Sequence, residues 1–482
     1  MILGVFTRKT LADIQAEAND ESRGLQRSLN GLNILLLGIG GVIGAGIFVL
    51  TGQAAAQYAG PAIAISFVIS GIACTFAALC YAELAAMIPI SGSAYTYTYA
   101  TLGQLIAWII GWDLILEYLF GAATVAVGWS GYVVSFLRDL GINVPVIFSS
   151  APLNFVHGQG WVRTGALFNL PAVVIVVICS YFLYVGIKKS AKFNNAIVVI
   201  KLTVLALFIT FGALEVLPQN WTPFVPPNEG GEFGRFGWSG VLRGAGVIFF
   251  AYIGFDSVSA LAQETKDPQR DMPVGIIGSL IACTVIYVAV SLVLTGVVSY
   301  QKLNVPDPIA VAVDSASGGL KWLRPFIKIG AIAGLSSVVL VFLMAQPRIL
   351  LSMARDRLLP AFSAKIHPRY RTPYISTVIT GVLAAIVAGI FPIGVLGELV
   401  SIGTLLAFVL VCLGVLVLRY IEPSAERPFR APFIVPVSLL GAGSAVLQMV
   451  ALPWDTWLRL IIWMGLGLVV YFGYGLKRAR SS

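Results

Sequence analysis

Ionisable side chains are rare inside the long apolar runs of this chain, and those present are Glu83, Asp113, Glu117, Lys201 and Asp256, with Glu264 and Arg348 near run ends. Such groups are costly in hydrocarbon, so each marks either a functional site or a fixed pairing. Lys201 is the foremost of them. Keeping a lysine charged in an apolar helix costs free energy, so Lys201 could gain and lose a proton near physiological pH and stand in for a bound cation. The alternatives are a permanent ion pair or a lysine that snorkels to the interface. Glu117 is a second candidate for proton handling, the alternative being a fixed hydrogen bond between helices. Asp256 and Glu83 read as structural, at a break and at a helix exit where backbone groups need partners.

Glycine marks the second kind of chemistry. The run Gly38-Ile39-Gly40-Gly41-Val42-Ile43-Gly44-Ala45-Gly46-Ile47-Phe48 sits in the middle of the first apolar segment. Each glycine costs about 1 kcal/mol relative to alanine in a helix, so the helix should open here. An unwound stretch at mid-depth survives only where protein or a watery cavity satisfies its backbone, which suggests a polar ligand. A second break is expected at Phe250-Ala251-Tyr252-Ile253-Gly254-Phe255-Asp256. The N–H groups of Gly44, Ala45 and Gly46, following Val42 and Ile43, would start a half-helix whose positive end favours a carboxylate. The carbonyls of Phe250, Ala251 and Ile253 would end another and accept from an ammonium group. Together the two breaks fit an α-amino acid. The competing reading is that the glycines serve close helix packing. A Rossmann loop is excluded: no strand leads in, and no Asp or Glu follows about 20 residues on.

The elements that must carry these residues follow from composition. The chain has 482 residues, 58% hydrophobic and only 11% charged, where a soluble domain carries about 25% charged. It reads as an all-α, multi-pass membrane protein with about twelve runs long enough to cross hydrocarbon. The first runs from about Leu32 to Tyr58. The second follows Gly60-Pro61, and a polar linker, Ser91 to Tyr97, leads to a long third run with Asp113 and Glu117. A basic turn, Lys188 to Lys192, separates the fourth from a fifth span that begins at Asn195 and carries Lys201. The sixth span, about Trp238 to Ala262, holds the second break.

Placing the N-terminus, the even-numbered loops and the C-terminus on one side gathers there about 20 of the 31 Lys and Arg, against about 9 opposite. That side is the cytoplasm. The expected organisation is a cytoplasmic segment 1–30, a first repeat 31–217, an inverted second repeat 218–420, and two extra spans in 421–482. The N-terminal segment lacks the apolar core of a signal peptide.

Other functions are narrowed by what the spans contain. The net charge of +9 is dispersed over short loops, which argues for membrane orientation and not for nucleic acid. The five cysteines lie in apolar runs without CxxC spacing, and the only histidines, His157 and His367, lie in loops. No metal, cofactor or enzymatic nucleophile with its base is therefore expected in the membrane. A channel would be expected to show a filter or charged ring, and neither is found. A non-transporting sensor stays open.

These motifs resemble a known family. The glycine run continued by Ile47-Phe48-Val49-Leu50-Thr51-Gly52, Cys80-Tyr81-Ala82-Glu83-Leu84, Pro89-Ile90-Ser91-Gly92-Ser93-Ala94-Tyr95 and Phe249 to Asp256 resemble the amino acid–polyamine–organocation transporters. Gly111 to Tyr118, Glu264 to Pro273 and Arg427-Pro428-Phe429-Arg430-Ala431-Pro432 are similar to its cationic amino acid transporter branch. The resemblance implies the leucine-transporter-type fold, two inverted five-helix repeats plus two helices, and amino acid uptake by alternating access. It implies that Lys201 fills the space of a sodium ion and that Phe250 is the gating aromatic. Ala45 stands where some relatives have threonine, leaving more of the carboxylate binding to backbone N–H groups. Phe342, or Leu343 if the alignment slips by one, stands where arginine carriers have a small or polar residue. Either is large and apolar and would leave a guanidinium unpartnered. A proton-coupled importer of small neutral amino acids such as alanine, in the plasma membrane, is therefore expected. An exchanger or a cationic amino acid carrier is the alternative, and a small membrane subunit beside it is left open.

Overall fold

The computed structural model describes residues 7–11, 14, 25–156, 160–228, 230–305, 307–316, 319–450, 452 and 454–479; His157 and most of the first 24 residues lie outside them. Among the described residues, eight helical stretches are long and apolar enough to cross a membrane, and Leu170–Val185, Tyr374–Ile390 and Ile434–Val450 are shorter apolar helices. The chain is a membrane protein of packed helices. The first stretch, Gly31–Met87, is 57 residues long, far more than the ~20 that one crossing needs. It turns at Gly60, where φ is +59 and Pro61 follows, a backbone state that glycine adopts at little cost.

The helices are α1 Gly31–Val42, α2 Ile63–Met87, α3 Ala94–Thr101, α4 Gln104–Ile115, α5 Gly121–Asp139, α6 Leu170–Val185, α7 Ile187–Ala213 and α8 Gly237–Ile248. There follow α9 Pro268–Val297, α10 Pro308–Ser315, α11 Arg324–Arg355, α12 Tyr374–Ile390, α13 Ile393–Ile421, α14 Ile434–Val450 and α15 Trp454–Val470. One antiparallel hairpin, β1 Leu153–Val156 with β2 Gly160–Arg163, lies in the loop after α5. Because α9 packs on α1 and α2 while α11 packs on α5 and α7, the glycine-rich helix is enclosed on several sides.

Two local expectations need correction, and the sixth span gains a detail. The tyrosine-rich stretch expected as a linker is the buried helix α3, since Tyr95 and Tyr97 bury their rings and Tyr95 Oη donates to Asp356 Oδ2 at 2.7 Å. The basic turn before the fifth span is helical: only Gly186, at φ +135, separates α6 from α7, and Lys188 to Lys192 lie within α7. The second half of the sixth span is a 3₁₀ helix, Ser257–Glu264.

Fixed pairings hold the helix ends. Glu83 accepts from Arg419 Nη2 at 2.7 Å and from the Ala431 N–H at 2.8 Å, and Arg427 Nε lies 3.4 Å away. The remaining N–H groups of Arg427 reach carbonyls of Glu422 and Ala425. The structural reading of Glu83 therefore holds, and the Arg427 to Pro432 motif is its partner. Glu264 and Arg348 form a buried two-point ion pair, Nη2 to Oε1 at 2.9 Å. The backbone of Leu29, just before α1, pairs in parallel with Thr265, just after the 3₁₀ helix. The two interrupted helices are thus tied at one end.

Candidate functional site

Both breaks are present. Helix α1 stops at Val42, Ile43 is extended (φ −75, ψ 96), and a π-helical segment, Gly46–Leu50, resumes the path. The N–H groups of Gly44, Ala45 and Gly46 donate to no acceptor among the described residues, as expected of the leading donors of a helix. Opposite them, α8 passes into a 3₁₀ turn, Phe249–Tyr252, then extended Ile253 and Gly254 at φ +117. A β-carbon on Gly46 would lie 2.2 Å from that of Ala251, and one on Gly254 would lie 2.7 Å from the Gly41 carbonyl. The breaks touch, and only glycine permits the approach. The packing reading of these glycines thus holds together with the opening they create.

Of the three carbonyls expected to receive an ammonium group, Phe250 already accepts from the Ile253 N–H at 3.3 Å and Ala251 accepts from Tyr287 Oη at 2.9 Å. Only the Ile253 carbonyl has no donor among the described residues. Tyr287, on α9, also reaches the Val42 carbonyl at 2.8 Å, so one phenol hydroxyl stitches both breaks together. Sequence reasoning passed over it; a lone tyrosine deep in an apolar run was the only signal.

Lys201 is fully buried on α7, and its Nζ donates to the carbonyls of Ile39 at 3.1 Å, Gly40 at 3.0 Å and Ile43 at 2.9 Å and to Ser337 Oγ at 2.8 Å. It neither snorkels nor meets a carboxylate among the described residues. Its partners cluster at the end of the first half-helix: the Ile39 carbonyl also accepts from the Ile43 N–H at 3.0 Å, whereas the Gly40 and Ile43 carbonyls lie where the helix end leaves acceptors without intrahelical donors. Ser337 on α11, also overlooked in the sequence, donates in turn to the Gly40 carbonyl at 2.8 Å. Two turns of α7 earlier, Asn194 Nδ2 donates to the Leu36 carbonyl at 3.2 Å. Helix α7 therefore grips α1 along its length up to the break.

Glu117 falls on a π-helical turn, Leu116–Phe120, between α4 and α5, an insertion frequent at functional sites. It is buried beside Asp256 and Thr404, without a well-aligned hydrogen bond to either. Asp256, at the second break, accepts from Tyr118 Oη at 2.6 Å. Asp113 lies nearby on α4 against Gly403, and no cation pairs with these three acids among the described residues. Asp256 is structural in part, as read, but it also joins Glu117.

Phe342 is buried, and its ring closes on the second break: it lies 6.0 Å from the Tyr118 ring, and β-carbons on Gly121 and Gly254 would come within 2.8 and 3.1 Å of it. Leu343 is equally buried, but no such approach to the break is seen for it. Phe250 is half-buried on the 3₁₀ turn. Lys328, a further buried cation on α11, was missed; it pairs with Asp139 and donates to Ser135 Oγ at 3.0 Å.

Residues 29–470 match the amino acid permease family. The chain belongs to that family. This permease is 45% identical over 475 residues to the methylthioribose transporter of Bacillus subtilis (strain 168), covering 98% of each chain. It is also 45% identical over 479 residues, 99% of each, to that organism's branched-chain amino acid permease BcaP. The vacuolar cationic amino acid transporter 4 of Arabidopsis thaliana is 39% identical over 416 residues, 86% of this chain and 67% of the plant protein. The resemblance to the amino acid–polyamine–organocation superfamily is therefore correct, and this permease is a transporter and not an enzyme.

Proposed function

We propose that this permease imports small neutral amino acids such as alanine across the plasma membrane by proton-coupled symport. The observation that carries the reading is the pair of apposed breaks: three free N–H groups at Gly44 to Gly46 for a carboxylate, and the free Ile253 carbonyl for an ammonium group. Val42, Ile43, Phe250 and Ala251 shape the backbone there. Phe342 supplies an apolar wall, which leaves a guanidinium without a partner and disfavours arginine. BcaP, named for branched-chain substrates, supports an apolar side-chain site.

We read the helices as twelve spans with both termini cytoplasmic: segment 1–30, inverted repeats 31–217 and 218–420, and two further spans in 421–482. In this arrangement α1 and α8 are equivalent members of the repeats. Protonated Lys201 has three N–H donors for four surrounding oxygens; deprotonated, it has two and turns a lone pair toward them. Loss of the proton therefore loosens α1 and lets the cytoplasmic gate open, with Phe250 closing over the substrate and Glu117 carrying a proton beside Asp256. Exchange of internal for external amino acid is the nearest alternative.

Uptake of labelled alanine into proteoliposomes tests both parts. An inward proton gradient should accelerate it, and serine and valine should compete better than arginine. Indifference to the gradient defeats the coupling, a requirement for internal amino acid establishes exchange, and stronger competition by arginine refutes the substrate class. Methylthioribose belongs in the same panel, because a relative of 45% identity is named for it.

A further inference from the structure

The outer face of α9 bears a groove of about 630 Å³ that transport as described does not use. Its apolar wall is Val274, Ile277 and Ile281, and Phe429, from the loop after α13, closes one side. With Arg270 these residues recur at i, i+4, i+7 and i+11, a single stripe of the helix. Val274 and Ile281 are each 55% exposed, so the wall is bare on a helix that crosses the bilayer. What covers it there is lipid.

The polar end of the groove specifies which lipid. Arg270 lies in the first turn of α9 and Asp267 immediately before it, which places both at headgroup level. Both are exposed, and neither forms an ion pair with the other or with any described residue. A guanidinium binds phosphate well, and a carboxylate accepts from a primary ammonium group. A trimethylammonium headgroup has no N–H to donate, and an anionic glycerol headgroup would meet the Asp267 carboxylate without a counter-charge.

We propose that this groove is a site for an aminophospholipid of the phosphatidylethanolamine type, with the phosphate on Arg270, the ammonium on Asp267, and one acyl chain along Val274, Ile277 and Ile281 against Phe429. The site is built from the helix stripe and the two unpaired charges, and it is independent of the substrate.

Native mass spectrometry of the full-length protein in detergent, titrated with dioleoyl phosphatidylethanolamine, phosphatidylcholine or phosphatidylglycerol, tests this. Ethanolamine lipid should bind with the highest affinity, and Arg270→Gln should weaken it by about tenfold, a change of one charge-assisted contact. Asp267→Asn should remove the preference for ethanolamine over glycerol, and Ile277→Trp should block retention of all three. A melting temperature in lipid-free detergent equal to that of the wild type shows that the fold of each variant is intact. Equal affinity for the three lipids, a preference for phosphatidylglycerol, or no effect of Arg270→Gln overturns the proposal. Displacement of the lipid by millimolar inorganic phosphate also overturns it, since the site would then be one for free anion.

Discussion

Replacing Lys201 by methionine keeps the length of the side chain and deletes all of its donors. The Ile39 carbonyl would still accept from the Ile43 N–H at 3.0 Å, and the Gly40 carbonyl from Ser337 Oγ at 2.8 Å. The Ile43 carbonyl has no other donor among the described residues. A buried acceptor left alone costs about 1–3 kcal/mol. If that cost falls on the arrangement that holds α1 against α7, the equilibrium between closed and open forms shifts by about 5–150-fold. Lys201→Met should therefore mimic the deprotonated state, and Lys201→Arg, which keeps its charge, the protonated one. In proteoliposomes with pH 5.5 outside and 7.5 inside, wild-type alanine uptake should exceed that at symmetrical pH 7.5. Both variants should lose that stimulation, the arginine variant with a low uptake rate in both conditions. A Lys201→Met protein that responds to the gradient like wild type would refute the reasoning.

Phe342→Ser removes the ring lying against Gly121 and Gly254; the KM for alanine should rise and leucine should become a stronger competitor, as measured by competitive uptake. Tyr287→Phe strands the Val42 and Ala251 carbonyls and should cost about 1–3 kcal/mol. A melting curve should show a lower Tm, and uptake should slow; unchanged values in both would remove Tyr287 from the site. Glu117→Gln keeps the shape of the side chain but cannot exchange a proton. Exchange of internal for external alanine should survive in it while gradient-driven accumulation fails, and normal accumulation would exclude Glu117 from coupling.

The breaks were legible because they are local: a glycine-dense run opens a helix wherever it sits, and the backbone at Ile43 and Gly254 follows from it. Lys201 stood out because a cation in an apolar run is rare, although its partners did not. Its acceptors lie on α1 and α11, more than 130 residues away in the chain, and nothing in the spacing around Lys201 points to them. Tyr287 and Ser337 escaped for the same reason, since a hydroxyl within a span reads as ordinary packing until the opposite backbone is known. Helix α3 was read as a loop because Ser, Gly and Thr surround its tyrosines, but burial against Asp356 and its neighbours overrides that local composition. Lys328 lies inside the apolar run that forms α11 and was missed beside its better-placed neighbours.

The central claim is that two apposed helix breaks hold the two charged ends of one small molecule. Thermal stabilisation of the purified protein by L-alanine, compared with L-alanine methyl ester and N-acetyl-L-alanine, tests it most directly. Each derivative removes one charged pole, with hydrogen bonds to charge worth about 1.5–3 kcal/mol. L-Alanine should raise the Tm with increasing dose, and both derivatives should bind at least about tenfold more weakly. Stabilisation by either derivative at the concentrations effective for alanine would contradict the account.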